Sequence, residues 1–206
     1  MIQMKKKIGK KVAQGWKQEF ADTFGDSLNY IFEQKKFIYA VALAFGISSV
    51  AGFFYADVLD GIFADMIKDI ISQTQDLDFI EMIWFIFSNN VTSSLFGIFL
   101  GIFFGIFPFF NALFNGTLLG YVYSKTSAID GYGVIWRIFP HGVLELPAVF
   151  ISLGLGVHLG AALFARNAKF EIVQCGRQSL RAFLAVVVPL LIAAAIIESA
   201  FIFFVG

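Results

Sequence analysis

Two ionisable residues stand one helical turn apart at the start of an apolar stretch of this sequence. His141 and Glu145 share one face of a helix because they are four residues apart. An uncompensated charge costs at least a few kcal/mol inside a membrane, so such a pair predicts a role. Three roles are open. The pair can bind a metal or a cationic ligand, carry protons through the imidazole, or form a hydrogen-bonded lock between helices.

Further polar residues interrupt the apolar segments. Estimated depths place one polar cluster on the outer side of the membrane, formed by Asn89, Asn90, His141, Glu145 and Glu198. Asn111 and Asn115 lie nearer to mid-membrane, where their amides can bond across helices or cap a broken helix. His158 is expected to snorkel or to meet a backbone carbonyl.

Enzyme chemistry is not predicted. His141 and Glu145 are too few ligands for a metal centre, Glu198 is the candidate for a third, and no HExxH pattern is present. No nucleophile–base pair or nucleotide-binding motif occurs, and the single cysteine, Cys175, excludes an internal disulfide. We therefore expect a protein without catalytic residues, metal or cofactor, and without a nucleic-acid partner.

The composition identifies the solvent in which this chain folds. The sequence runs from Met82 to Ser124 without a single Asp, Glu, Lys, Arg or His, and 58% of all residues are hydrophobic. That run is about twice the length of one membrane span, which needs about 20 apolar residues. The sequence therefore predicts an all-α, polytopic membrane helical bundle that has the lipid bilayer as its partner.

The elements that must position the polar residues follow from the apolar runs. Residues 1–36 read as a basic amphipathic helix at the cytoplasmic surface, and 57–72 as an acidic amphipathic helix on the outer surface. Residues 37–206 form a single transmembrane domain. It contains five predicted spans, at 37–56, 91–107, 109–123, 141–164 and 182–205, with a tight turn at Pro108 and a basic loop at 166–181.

The charges predict the orientation in the cell membrane. With the N-terminus in the cytoplasm and five spans, all of the 15 Lys and Arg residues except Lys68, Lys125 and Arg137 lie inside. The positive-inside rule therefore favours a cytoplasmic N-terminus and an outer C-terminus.

An internal repeat is suggested by two similar segments. The segment 83–91 aligns without gaps with 135–143, and five of the nine aligned positions are identical. In a true duplication, 79–88 and 132–139 are short re-entrant half-helices, and each ends in a break at Asn89 or His141. The alternative is that both segments lie on the outer surface as amphipathic helices.

Small residues recur at four-residue spacing and predict close helix packing. The Gly97–Gly105 face is the strongest candidate for a helix seam, either within one subunit or between the subunits of a homodimer. The glycines concerned are Gly97, Gly101, Gly105, Gly116, Gly120, Gly156 and Gly160.

Three of these features together resemble the stage II sporulation protein M family. They are the Asn-Asn pair before a Gly-rich span, the run from Asn111 through Asn115 and Gly116 to Gly120, and the Pro-His-Gly-xx-Glu element at 140–145. The resemblance covers roughly residues 35–205. It implies a non-enzymatic envelope membrane protein that acts as a scaffold for envelope-remodelling partners. The alternative from the residues themselves is a small-solute or ion transporter or channel with a site around His141 and Glu145.

Overall fold

The computed structural model describes residues 22–204, with side chains given everywhere except at 134–141. The described chain is helical throughout, with short turns between the helices, so the predicted all-α class is confirmed. A first helix, α1, covers 22–33 and ends at a turn at Gln34. Seven α-helices follow it, namely α2 Lys35–Phe54, α3 Ala56–Thr74, α4 Phe79–Phe99, α5 Ile106–Asp130, α6 Ile135–Ala161, α7 Ala168–Ala182 and α8 Val188–Phe204.

Among the described residues, four segments are long and apolar enough to cross a membrane: Lys35–Phe54, Phe79–Ile102, Gly142–Phe164 and Ala168–Phe204. They correspond to predicted spans one, two, four and five. The predicted third span, 109–123, lies within α5, which is not among the four. The predicted basic helix over 1–36 falls largely outside the described residues.

The two predicted re-entrant segments are wrong. Residues 79–88 are the first part of α4, which continues through Asn89 without a break. Asp78 starts this helix with a capping box: its side chain accepts from the Glu81 N–H, and the Glu81 carboxylate accepts from the Asp78 N–H. Likewise α6 continues from Ile135 through His141. A side-chain amide or imidazole does not stop a helix in lipid, because the unpaired backbone would cost more.

The turn predicted at Pro108 lies earlier in the chain, between Leu100 and Gly105. Leu100–Ile102 tightens into a 3₁₀ turn, and Phe104 and Gly105 then adopt left-handed φ angles of 58° and 71°. Gly105 accepts this conformation without strain, and α5 begins at the next residue. Pro108 therefore sits in the first turn of α5, where its missing N–H breaks no helical hydrogen bond.

A continuous helical segment replaces the predicted basic loop at 166–181. The residues Ala168–Ala182 form α7, and a π-helical segment, Phe183–Val187, joins it to α8. The α7 face that packs inward carries Cys175, Ser179 and Ala182. Its basic residues remain exposed at the surface, which explains why the composition resembles that of a loop.

Two parallel helix pairs organise the bundle. In the first, α5 follows α2 in the same direction: Gly116 lies against Phe45 and Ser48, and Gly120 lies against Ser49 and Phe53. A Cβ at Gly116 would collide with the Phe45 carbonyl, so only glycine allows this backbone approach.

The second pair joins α4 to α6, again in parallel. Gly97 of α4 and Gly101 of the following turn both lie against Gly156 of α6, and Gly105 lies against Val157, so glycines on both sides allow the close approach. The predicted packing glycines thus lie against neighbours within the chain, namely Gly97, Gly101, Gly105, Gly116, Gly120, Gly156 and Gly160. That α4 and α6 arose by duplication stays a prediction.

The two ends of the bundle differ in charge. One end, the acidic end, carries α3 with Asp57, Asp60, Asp65 and Asp69. The opposite end, the basic end, carries the start of α2, the α4–α5 turn and α7, with Lys35, Lys36, Arg166, Lys169, Arg177 and Arg181.

Candidate functional site

A polar cavity of ≈ 340 Å³ lies inside the bundle between α4, α5, α6 and α8. Its wall combines two carboxylic acids, four side-chain amides and one hydroxyl with apolar residues such as Leu118 and Val149. The polar lining residues are Asn89, Asn90, Ser93, Asn111, Asn115, Glu145 and Glu198. The volume falls within the range of small-molecule sites, which begins near about 300 Å³.

The four described members of the predicted polar cluster, Asn89, Asn90, Glu145 and Glu198, line this one cavity, and Asn111 and Asn115 do so as well. The side chain of His141 lies outside the described residues, so the proposed pairing with Glu145 stays a prediction. The functional roles of these residues also stay predictions, because their proximity does not identify what they bind.

The cavity lies deeper than the sequence indicated. Phe45, halfway along α2, is part of its wall, which places the cavity near the middle of the bundle. The reason is the continuity of α4. Asn89 follows ten residues of helix, about 15 Å of rise, and is not the first residue of a span.

The two acids differ in their surroundings. Glu145 is only 5% exposed, in the middle of α6. Glu198, on α8, is half-buried and also lines a second cavity, which lies between the end of α3 and the neighbouring helices. A buried acid is retained only where other groups compensate for its desolvation. The groups around Glu145 must therefore hydrogen-bond to it or carry a compensating charge.

The amides are held by local hydrogen bonds. Asn115 donates through Nδ2 to the backbone oxygen of Asn111 at 2.9 Å and to its Oδ1 at 3.0 Å. These bonds run within α5, whereas the sequence left open bonds across helices or caps on a broken helix. On α4, Asn89 donates to the Asn90 side chain at 3.4 Å. Both pairs therefore present oriented amide groups on facing helices.

The polar cavity meets an apolar groove between the end of α4 and the start of α5, on the side of the α4–α5 turn. Ser93 and Asn111 line both spaces. The groove has a volume of ≈ 370 Å³, and aromatic rings form most of its wall, including Phe96, Phe107 and Phe110. The lining thus changes from polar to apolar side chains at Ser93 and Asn111.

A charged cluster ties α3 to α5 at the acidic end. Lys125 lies 2.7 Å from Asp57 and 2.9 Å from Asp60, and Tyr121 donates to Asp60 at 2.7 Å. The hydrogen bond from Lys125, followed by that from Tyr121, lowers the pKa of Asp60. Sequence reasoning did not find this cluster. The sequence feature that could have predicted it is Lys125, which stands alone directly after the uncharged run and can pair with the acidic helix.

The packing of α3 extends this contact across the bundle. Phe63 is buried against Phe114 and Tyr121 of α5. At the other end of α3, Ile70 and Thr74 line the cavity shared with α4, α8 and Glu198. The acidic helix therefore crosses the bundle from α5 to α8.

A second polar cluster lies at the basic end. The hydroxyl of Tyr30 lies 3.2 Å from Nδ1 of His158 and 3.3 Å from the Ser179 hydroxyl, and Sγ of Cys175 lies 3.8 Å from Nε2 of the same ring. The expectation that His158 would snorkel or meet a carbonyl is therefore wrong. Burial of its hydroxyl raises the pKa of Tyr30, which lies on α1, to about 12.

No group of three or more metal-ligating side chains occurs among the residues 22–204 whose side chains are described. The acids and amides of the polar cavity are oxygen donors and hydrogen-bond donors, which suit a cation or a hydroxyl-bearing solute.

Comparison with known proteins identifies one family. The family described as stage II sporulation protein M matches residues 38–202, which is most of the chain. No curated protein and no solved structure gives a significant match.

Proposed function

Because this chain belongs to the stage II sporulation protein M family, and its apolar helices make it a multi-pass membrane protein, we propose that it is a non-enzymatic membrane protein that binds a small solute or ion in the polar cavity. Movement of that solute across the cell membrane is the function that this site supports best. The observation that carries the proposal is the convergence of two acids and four amides from four helices on one cavity.

The proposal includes α5 as a fifth span. This helix has 25 residues, enough to cross about 30 Å of hydrocarbon. It packs in parallel along α2, which is itself long and apolar enough to cross. The contacts run from Phe45, halfway along α2, to Phe53 near the acidic end. A helix in that position occupies the same depth as α2. Its lower hydropathy comes partly from the two asparagines that face the cavity.

The orientation is part of the same proposal. Lys and Arg are concentrated at the basic end, which we assign to the cytoplasm. Five spans then leave the N-terminus inside and the C-terminus outside. In this orientation α3 crosses the outer side of the bundle.

The chemistry of the cavity indicates the class of solute. Carboxylates and amide oxygens accept hydrogen bonds or coordinate hard cations, while the amide nitrogens donate. The lining contains no Lys or Arg among the described residues. We therefore propose a cation, an amine or a polyhydroxyl compound as the ligand, and not an anion.

Cysteine accessibility tests this proposal. In a Cys175→Ser background, Asn115→Cys places a thiol in the cavity wall, whereas the matched control Ser94→Cys places one at a buried position on α4 that does not line the cavity. A small, membrane-impermeant thiol reagent should modify the first variant and not the second. Protection of Asn115→Cys from both sides of the membrane would show that the cavity is closed to water and would contradict the proposal.

A second candidate function is the scaffold role that the family resemblance implies. The observation in its favour is an aromatic surface at the α4–α5 turn, where Phe103, Phe104 and Phe107 are all exposed. Another envelope protein or a second copy of the chain can pack there. A photo-crosslinking residue at position 103 should then capture a defined protein neighbour in cells, whereas the same residue at Ile47, which is exposed on α2, should not. Equal labelling of lipid at both positions would remove this candidate.

A further inference from the structure

A groove of ≈ 720 Å³ at the basic end is separate from the polar cavity. It lies between α1, the end of α4, α7 and the π-helical segment. Phe99, Val173, Leu180 and Leu184 form its apolar wall, and Arg177 and Arg181 stand on the same wall.

The amphipathic nature of α7 creates this groove. One face of α7 packs into the bundle through Cys175 and Ser179. The other face leaves Val173 64% exposed and, at the adjoining π-helical segment, Leu184 60% exposed. An apolar face at the end of a membrane-spanning helix is energetically acceptable when it contacts lipid chains.

The two arginines supply charge at the rim of the groove. Arg177 and Arg181 are one helical turn apart, so their guanidinium groups can approach one anion together. Arg181 lies 3.9 Å from Asp26 of α1, a long contact between exposed side chains that holds the guanidinium only weakly. Arg177 and Arg181 together therefore give the rim of the groove a positive charge.

We propose that this groove binds an anionic phospholipid of the inner leaflet. The phosphate lies between Arg177 and Arg181, and an acyl chain runs along the apolar wall past Leu180 and Leu184. A free phosphate would leave the apolar wall uncovered, whereas a phospholipid matches both the charged rim and the apolar wall. The site rests on the cytoplasmic assignment of the basic end and is independent of what the polar cavity binds.

The bound lipid contacts three elements of the fold. Thr23 on α1, Phe99 at the end of α4 and Val173 on α7 all line the groove. A lipid in this position stabilises the folded protein because it binds an arrangement that unfolding destroys. Anionic lipid should consequently raise the unfolding temperature.

Two kinds of variant distinguish lipid binding in the groove from attraction of the lipid to surface charge in general. The double variant Arg177→Gln/Arg181→Gln removes the rim charges. Its matched control is Arg166→Gln/Lys169→Gln, which removes the same charge from the same end of the bundle at residues that do not line the groove. The variant Gly176→Phe keeps both arginines and fills the groove, since a Cβ at Gly176 meets no atom within 4 Å.

The measurement is the thermal unfolding temperature of the purified protein in detergent with added phosphatidylglycerol or phosphatidylcholine. Phosphatidylglycerol should raise it in the wild type and in the control, but not in Arg177→Gln/Arg181→Gln or Gly176→Phe, while phosphatidylcholine should leave all four unchanged. Unchanged unfolding temperatures without lipid show that the variants fold. Equal loss of the shift in the control, or a full shift in Gly176→Phe, would overturn the proposal.

Discussion

Lys125, in the last two turns of α5, lies 2.7 Å from the carboxylate of Asp57, the second residue of α3. The same ammonium group lies 2.9 Å from Asp60, so one cation holds two acids of the helix that crosses the bundle. The cluster joins the acidic helix to a helix that contributes two amides to the polar cavity.

Removal of the Lys125 charge should release α3. We expect Lys125→Gln to increase hydrogen exchange in α3 several-fold while α4 and α6 keep their protection. The control is Lys68→Gln, which breaks the ion pair with Asp65 within α3 itself and removes the same charge. Mass-spectrometric exchange compares the two, and equal exchange of α3 in both variants would show that Lys125 does not hold this helix.

The same contact should depend on pH in one direction. The folded-state pKa of Asp60 lies below its unfolded value, so the contact contributes its stability above the unfolded pKa of about 4. That contribution is lost as the pH falls through the folded-state pKa. Between pH 7 and pH 3, the thermal unfolding temperature should fall at the lowest pH values, and the fall should be smaller in Asp60→Asn. An identical drop in both proteins would assign the effect to other acids.

The glycine contact between α2 and α5 should tolerate no methyl group. Gly116→Ala places a Cβ against the Phe45 carbonyl and should destabilise the protein by about 1–3 kcal/mol, the usual cost of overpacking. The control is Gly46→Ala on α2, where an added Cβ meets no atom within 4 Å. It should be neutral or stabilising, because Ala favours a helix. Thermal unfolding in detergent measures both, and similar values would contradict the packing.

The hydroxyl of Tyr30 should hold α1 to α6 and α7. Tyr30→Phe removes its contacts with His158 and Ser179 and should cost about 1 kcal/mol, the net value of a typical buried hydrogen bond. Tyr39→Phe, on the exposed face of α2, provides the control and should have no effect. Protease cleavage near residue 34 reports on the release of α1. Unchanged cleavage would show that the hydroxyl contributes nothing to docking.

Some of the architecture follows from composition because every segment in lipid has to satisfy its backbone hydrogen bonds internally. Backbone groups in hydrocarbon must bond within a helix, so the long uncharged run already implied spanning helices. The same argument does not predict the continuity of α4 through Asn89 or of α6 through His141. Hydropathy does not distinguish a polar residue that ends a helix from one that faces an interior cavity.

The sequence by itself determined the membrane class, the helical content and the identity of the polar residues in the apolar segments, because each depends on local composition. Only the tertiary structure decided that α5 runs parallel to α2, that His158 meets Tyr30, and that Glu145 and Glu198 reach the same cavity. These relationships depend on which surfaces of distant helices fit each other. Such complementarity is a property of several segments together and leaves no periodic pattern in any one of them.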